Sequence, residues 1–184
     1  MNFESILEKT RTYHNFEETN VNESFIHDLI RNALKAPNHK YTFPWKYLWL
    51  KGEAKEKVAN LFYESKKHKA DPELGRDENF FKSKILLPEV IVLVQEKADD
   101  AFTLKEDYAT LSCSVQIMAM HLRANDMGYK WSTGGATRDP KVYKILGLNP
   151  EKDEIIGFLL FGKSKNTPPE RRRPSVKDVL ITTT

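Results

Sequence analysis

Cysteine is almost absent: Cys113 is the single one among 184 residues. One thiol excludes an internal disulfide framework and a thiolate zinc cluster, and it fits a reducing compartment. Long apolar runs are missing too, none approaching the roughly 20 residues that span a bilayer, so no membrane partner is expected. The opening Met1-Asn2-Phe3-Glu4-Ser5 lacks the basic, apolar and small-residue zones of a signal peptide, and a cytoplasmic chain is expected. Charge of one sign is scarce: 29 Lys and Arg stand against 26 Asp and Glu, a net +3. The basic residues are spread rather than gathered in a stripe, so no nucleic-acid partner is implied, while an anionic ligand stays open. There is no internal repeat, low-complexity tract or interdomain linker, and 184 residues with 40% hydrophobic content read as one domain over 1–184.

Several chemical signatures are missing as well. No His-Glu-x-x-His pair or cysteine pairing exists to hold a metal, and His121 falls mid-helix, where it reads as structural. Ser112 and Ser114 flank Cys113 inside a helical stretch, without the sharp turn that exposes a nucleophile. No Gly-x-Gly-x-x-Gly opens a helix. The run Gly157-Phe158-Leu159-Leu160-Phe161-Gly162-Lys163-Ser164 matches the spacing of a phosphate loop. Its inner residues are large, apolar and strand-like, and Asn166-Thr167-Pro168-Pro169 follows instead of a helix, so the phosphate-loop reading is rejected.

What is present alternates between helical and strand periods. A short helix is expected from about Asn2 to Lys9, with an exit at Thr10–Phe16. Asn22 can cap a helix whose Phe25, Ile26, Leu29, Ile30, Ala33 and Leu34 share a face. Residues 53–69 form a solvated amphipathic helix, and 71–79 a loop. Pro88–Val94 and Glu154–Phe161 are near-continuous apolar runs, expected of central strands covered on both faces. Between them, 104–127 is a helix with two apolar rows: Leu111, Val115, Met118 and Leu122, and Cys113, Ile117, Met120 and Met127. A helix apolar on two sides is buried on two sides, against either a second subunit or more of its own domain. Tyr129–Trp131 is a short strand, and Asp139-Pro140 opens a last helix ending near Gly147. From 166 onward the prolines and arginines form an extended arm, with Val176 and Val179–Thr182 able to pair as a strand.

The stretch Ala36-Pro37-Asn38-His39-Lys40-Tyr41-Thr42-Phe43-Pro44-Trp45 ends a helix, turns under two prolines and launches a strand in which Trp45, Tyr47 and Trp49 share a face. It reads either as an ordinary connection or as a rim presenting backbone groups and rings to a planar ligand. Arg171, Arg172 and Arg173 read either as a solvated patch or, with Arg11, as guanidinium forks for a phosphate.

Four segments in this order resemble the flavin-dependent nitroreductases over nearly the whole chain: Thr10-Arg11-Thr12, Ala36 to Trp45, Trp131-Ser132-Thr133-Gly134, and the arginines before Pro174. The resemblance implies an α+β layered fold, a central, mostly antiparallel sheet flanked by helices, and a C-terminal arm (166–184) exchanged between the subunits of a homodimer. It implies FMN, with NAD(P)H as reductant and a small electron-poor acceptor such as a nitroaromatic or quinone. The flavin would carry the chemistry, so no catalytic side chain is named. Thr10, Arg11, Thr12, Arg171 and Arg173 would hold the phosphate and ribityl end; His39 and Phe43 would border the ring; Trp131, Ser132, Thr133 and Gly134 would line it. Two departures stand out. Thr10 occupies the place of a usual arginine, and Phe43 that of a common amide residue. The alternatives are a flavin-binding protein without turnover and a flavin reductase or dehydrogenase with another acceptor.

Overall fold

A computed structural model describes residues 2–183. The chain opens with helix α1 (Phe3–Glu8), capped by Asn2, and α2 (Glu23–Ala33), where the Asn22 side chain accepts from the Phe25 N–H at 2.9 Å. Strand β1 (Trp45–Trp49) leads to α3 (Gly52–Lys66) and α4 (Glu78–Leu86), the latter capped by Asp77. Strand β2 (Glu89–Glu96) is followed by the long α5 (Ala101–Ala124) and by β3 (Gly128–Ser132). Helix α6 (Pro140–Leu146), strand β4 (Asp153–Gly162) and the short α7 (Val176–Val179) complete the chain.

The four strands form one sheet in the order β1-β2-β4-β3, every neighbouring pair antiparallel. The apolar runs predicted to be central strands are the two central ones, and all of β2 but Glu96 is buried. Period-2 alternation divides their side chains between two cores. Val90, Val92 and Val94 face Val58 and Ala59 of α3, Ile85 of α4 and Val142 of α6. Ile91 and Leu93 face Ile26 and Leu29 of α2 and Leu111, Val115, Met118 and Leu122 of α5. This is the α+β architecture expected, helices on both faces of an antiparallel sheet. The rejected phosphate loop lies in β4 and the turn after it.

Some expectations need correction. The 71–79 segment is not all loop: Asp71 caps a 3-10 turn at Pro72–Leu74, and α4, unforeseen, starts at Glu78. Helix α5 starts earlier than expected because the Asp100 carboxylate accepts from the Thr103 N–H at 2.9 Å. Its first apolar row is buried, whereas Cys113 is exposed and Ile117, Met120 and Met127 are only partly covered. The expected C-terminal strand does not form. Ser175 and Asp178 make a reciprocal capping box that starts a turn of helix, leaving Val176, Val179, Leu180 and Ile181 exposed.

Close packing fixes one glycine in β4. A Cβ on Gly157 would collide with the Trp131 indole, which lies across it. Gly157→Ala is expected to displace Trp131 and destabilise the fold by about 1–3 kcal/mol, as overpacking does; urea unfolding gives the loss and near-UV circular dichroism reports the moved indole.

Candidate functional site

The N-terminal motif lies along the free edge of β3. Thr12 bridges in parallel to Tyr129, and the Tyr13 N–H donates to the Tyr129 carbonyl at 2.9 Å. Thr10 sits just before this contact, its hydroxyl donating to the Ile6 carbonyl at 2.9 Å. The Arg11 guanidinium is 3.9 Å from the exposed Glu170 carboxylate. So long a pair, with an exposed carboxylate, contributes little, although the Arg11 side chain itself is mostly covered. Thr12 is exposed, and His14, two residues on, reaches the wall of a cleft.

That cleft, about 730 Å³, opens between the sheet and α3, α4 and α6. Its size is ordinary for a small-molecule site. Phe158 and Leu160 of β4 form its floor, Leu61 and Phe62 of α3 and Phe80 and Phe81 of α4 its walls, and Ser132, Gly134 and Gly135 one lip. Of the predicted residues, Ser132 and Gly134 line it. Thr133 is exposed beside them, and Trp131 points to the other face of β3, packed in the α5-side core. There its Nε1 is buried with no hydrogen-bond partner among the described residues.

Sequence reasoning missed the basic side chains of this cleft. His14, Lys84 and Lys130 line it, and none pairs with a carboxylate among the described residues. Burial is the main cause that pushes the Lys84 and Lys130 ammonium groups below their ordinary range; Lys165 and Lys130 add to it at Lys84, and Lys66 at Lys130. His14 is likewise held below 6.5, first by burial and then by Lys130, Lys84 and Arg171. Arg171 of the C-terminal segment is therefore near His14, and Arg173 near Tyr129. The only available signal was alternation: in an extended segment Thr12 and His14 share a side, but Lys84 and Lys130 come from elements far away in sequence.

The second motif lies elsewhere. Residues 39–41 form a 3-10 turn before β1, the sheet edge opposite β3. Three strand spacings, about 14 Å, separate the two edges. Lys40, Tyr41 and Phe43 all have positive φ, at 56°, 54° and 51°. Left-handed backbone costs a non-glycine residue roughly 1–2 kcal/mol, so the turn must be held. Asn38 does this: its side-chain oxygen accepts from the Phe43 N–H and its amide donates to the Thr42 hydroxyl, both at 2.9 Å. Thr42 in turn donates at 2.5 Å to Asp107, a buried carboxylate of α5. The outcome is an outward display of Tyr41 and Phe43, 77% and 65% exposed. His39 lies 3.7 Å from Glu106. His121 hydrogen-bonds Asn32 at 3.0 Å in the α2–α5 contact, the structural role expected of it.

No helix among the described residues is long and apolar enough to cross a membrane. The fold is shared with solved nitroreductase-like proteins. The Nitroreductase-like Family Protein from Bacillus cereus superposes with a TM-score of 0.84 at 21% identity, over 100% of this chain and 96% of that one. A nitroreductase from Desulfovibrio desulfuricans, solved in complex with FMN, superposes with a TM-score of 0.78 at 13% identity, over 100% and 98%. In sequence, the Bacillus subtilis (strain 168) protein named "Putative NAD(P)H nitroreductase YfhC" is 24% identical over 175 residues, 94% of this chain and 90% of that protein. The model of the Nitroreductase family matches residues 7–163, and the chain belongs to that family.

Two outcomes are expected from this geometry. Asn38→Ala frees the Phe43 N–H and the Thr42 hydroxyl, costing about 1 kcal/mol; faster amide exchange confined to 38–43, with urea unfolding for the total, checks it. His14 binds its proton more weakly in the folded chain than in the unfolded one, so the unfolded state takes up more protons as pH falls through 6.5. The wild type should therefore lose stability relative to His14→Gln between about pH 7 and about pH 5, measured by paired denaturation curves.

Proposed function

We propose that the chain binds FMN in the cleft beside β3 and acts as an FMN-dependent oxidoreductase, taking reducing equivalents from NAD(P)H and passing them to a small electron-poor acceptor such as a nitroaromatic or quinone. The observation that carries this reading is the presence of Lys84 and Lys130, without a carboxylate partner among the described residues, on an apolar cleft beside the Thr10–Thr12 segment of a nitroreductase-family chain. The residues present fit the cofactor: Phe158, Leu160, Leu61 and Phe62 offer apolar walls to a planar ring, and the cations await an anion. The Desulfovibrio neighbour holds FMN and the Bacillus relative's name specifies NAD(P)H, which supports both assignments.

Bound FMN would supply the two-electron hydride chemistry, which no side chain of this cleft offers. The protein's part is binding and electrostatics. Arg11, Arg171 and Arg173, with the Thr10 and Thr12 hydroxyls, hold the phosphate and ribityl end. Ser132, Thr133 and Gly134 present the lip of the cleft to the ring, while Trp131 fixes the strand from its other face. Lys84 and Lys130 place positive charge where negative charge develops on reduction, in a site already partly desolvated, and His14 stands beside them as a mainly neutral imidazole. His39 and Phe43 cannot join these residues within one chain, because they stand at the opposite sheet edge. In the reading proposed they border the ring bound by a second copy, in a cytoplasmic homodimer whose 166–184 arms cross between subunits.

Arg11→Ala removes a charge-assisted contact of roughly 1.5–3 kcal/mol. FMN affinity should fall by about ten-fold to a hundred-fold, with riboflavin, which lacks the phosphate, much less affected. Fluorescence quenching titrations of both flavins at fixed salt test the assignment; equal losses would remove Arg11 from the phosphate site, and a protein that binds no flavin at all would remove FMN.

A further inference from the structure

The cleft carries more positive charge than one flavin uses. Beyond the residues assigned above, Lys66 in the last turn of α3 and Lys69 in the 3-10 turn that follows also line it. Neither makes an ion pair among the described residues, whereas Lys67, between them in sequence, pairs with Glu64 at 2.8 Å. Asp139 is the one acidic residue lining the cleft among the described residues, and its carboxylate already caps α6, accepting from the Lys141 N–H at 2.9 Å. The wall beneath the two lysines is apolar: Leu61, Phe62 and Phe80. Positive charge over an apolar wall, outnumbering the single carboxylate of Asp139, matches a ligand with a flat apolar body and an anionic substituent. Ammonium groups on flexible stems suit such a group, since they follow a carboxylate or phosphate without demanding one geometry.

We propose that Lys66 and Lys69 form a subsite for the anionic group of a planar substrate that enters the cleft beside the cofactor, so that the enzyme prefers negatively charged substrates to neutral ones of the same shape. The inference rests on the flavin reading for what else occupies the cleft. It does not rest on it for the charge, which belongs to the α3 wall. Lys66 lies close enough to Lys130 to help depress its proton affinity, and an anion between them would relieve that repulsion. The anion has two sources, a carboxylated or phosphorylated acceptor and the extra phosphate of NADPH.

Isothermal titration of the purified protein with 4-nitrobenzoate and with 4-nitrobenzamide separates charge from shape. The wild type should favour the acid by about ten-fold, the preference should shrink at high salt, and Lys66→Gln/Lys69→Gln should reduce it to within about two-fold. Steady-state KM ratios for the same two acceptors, and for NADPH against NADH, then identify the source: a ratio that collapses in the double variant, for either pair, marks the substrate whose charge is read. Equal affinity for acid and amide in the wild type, or a preference that survives the double substitution, overturns the proposal. The visible spectrum of each preparation keeps the two readings apart, because a protein that takes up no FMN refutes the cofactor assignment while the acid-to-amide ratio still decides the subsite.

Discussion

The pairing of β2 with β4 is the constraint on which the rest depends. Both strands are buried on both faces, so each must be covered by helices above and below, and β4 meets the cleft only through the apolar floor of Phe158 and Leu160. The polar segments that resemble the family motifs are therefore left to the rims. The 10–14 segment adds itself to the free edge of β3, and the 38–43 turn stands before β1 at the other edge. One core decision thus divides the family motifs between two places that a single chain does not bring together.

Both places hold unfavourable free energy in the isolated chain. At the β3 edge it is electrostatic: ammonium and imidazole groups crowd one another over an apolar floor, and burial and mutual repulsion depress their proton affinities. At the β1 edge it is conformational, three residues of left-handed backbone, Lys40, Tyr41 and Phe43, just before Pro44, in a turn held by Asn38, Thr42 and Asp107. Neither cost is needed to close the hydrophobic cores, which lie under the central strands. Costs that persist without a role in folding are expected at sites where binding offsets them.

The sequence displayed the parts governed by short-range rules. Asn22 and Asp139-Pro140 announced their helices because capping is local chemistry, and the two apolar runs announced central strands because burial on both faces suppresses alternation. Helix α4 escaped notice since Phe80, Phe81, Ile85 and Leu86 give no clean stripe: Phe81 and Ile85 are buried while Leu86 is exposed. The C-terminal strand does not form because Ser175 and Asp178 satisfy each other locally and start a turn of helix that takes in Val176 and Val179, despite the β propensity of Val179–Thr182. Lys84 and Lys130 were invisible as site residues, for their meaning arises only when α4 and β3 come together. Trp131 and Ser132 show the reverse case: a motif treats them as one block, yet period-2 geometry sends one to the α5 side and the other to the cleft.

The exposed apolar surface gives the division of the motifs its physical sequel. Tyr41, Phe43 and Phe102 are each more than half exposed, Tyr41 and Phe43 lie 6.1 Å apart, and Lys40 reaches over the Phe102 ring at 5.7 Å. The second row of α5 is half covered, and Val179, Leu180 and Ile181 are 64%, 66% and 87% exposed. Exposed apolar side chains gathered as Tyr41 and Phe43 are suit an interaction surface. In the proposed homodimer one operation answers all three: the second copy covers α5 and receives the arm, and it brings an aromatic turn to a cleft that lacks one. A site assembled this way is coupled to assembly itself, because cofactor contacts shared between subunits favour the state in which both are present.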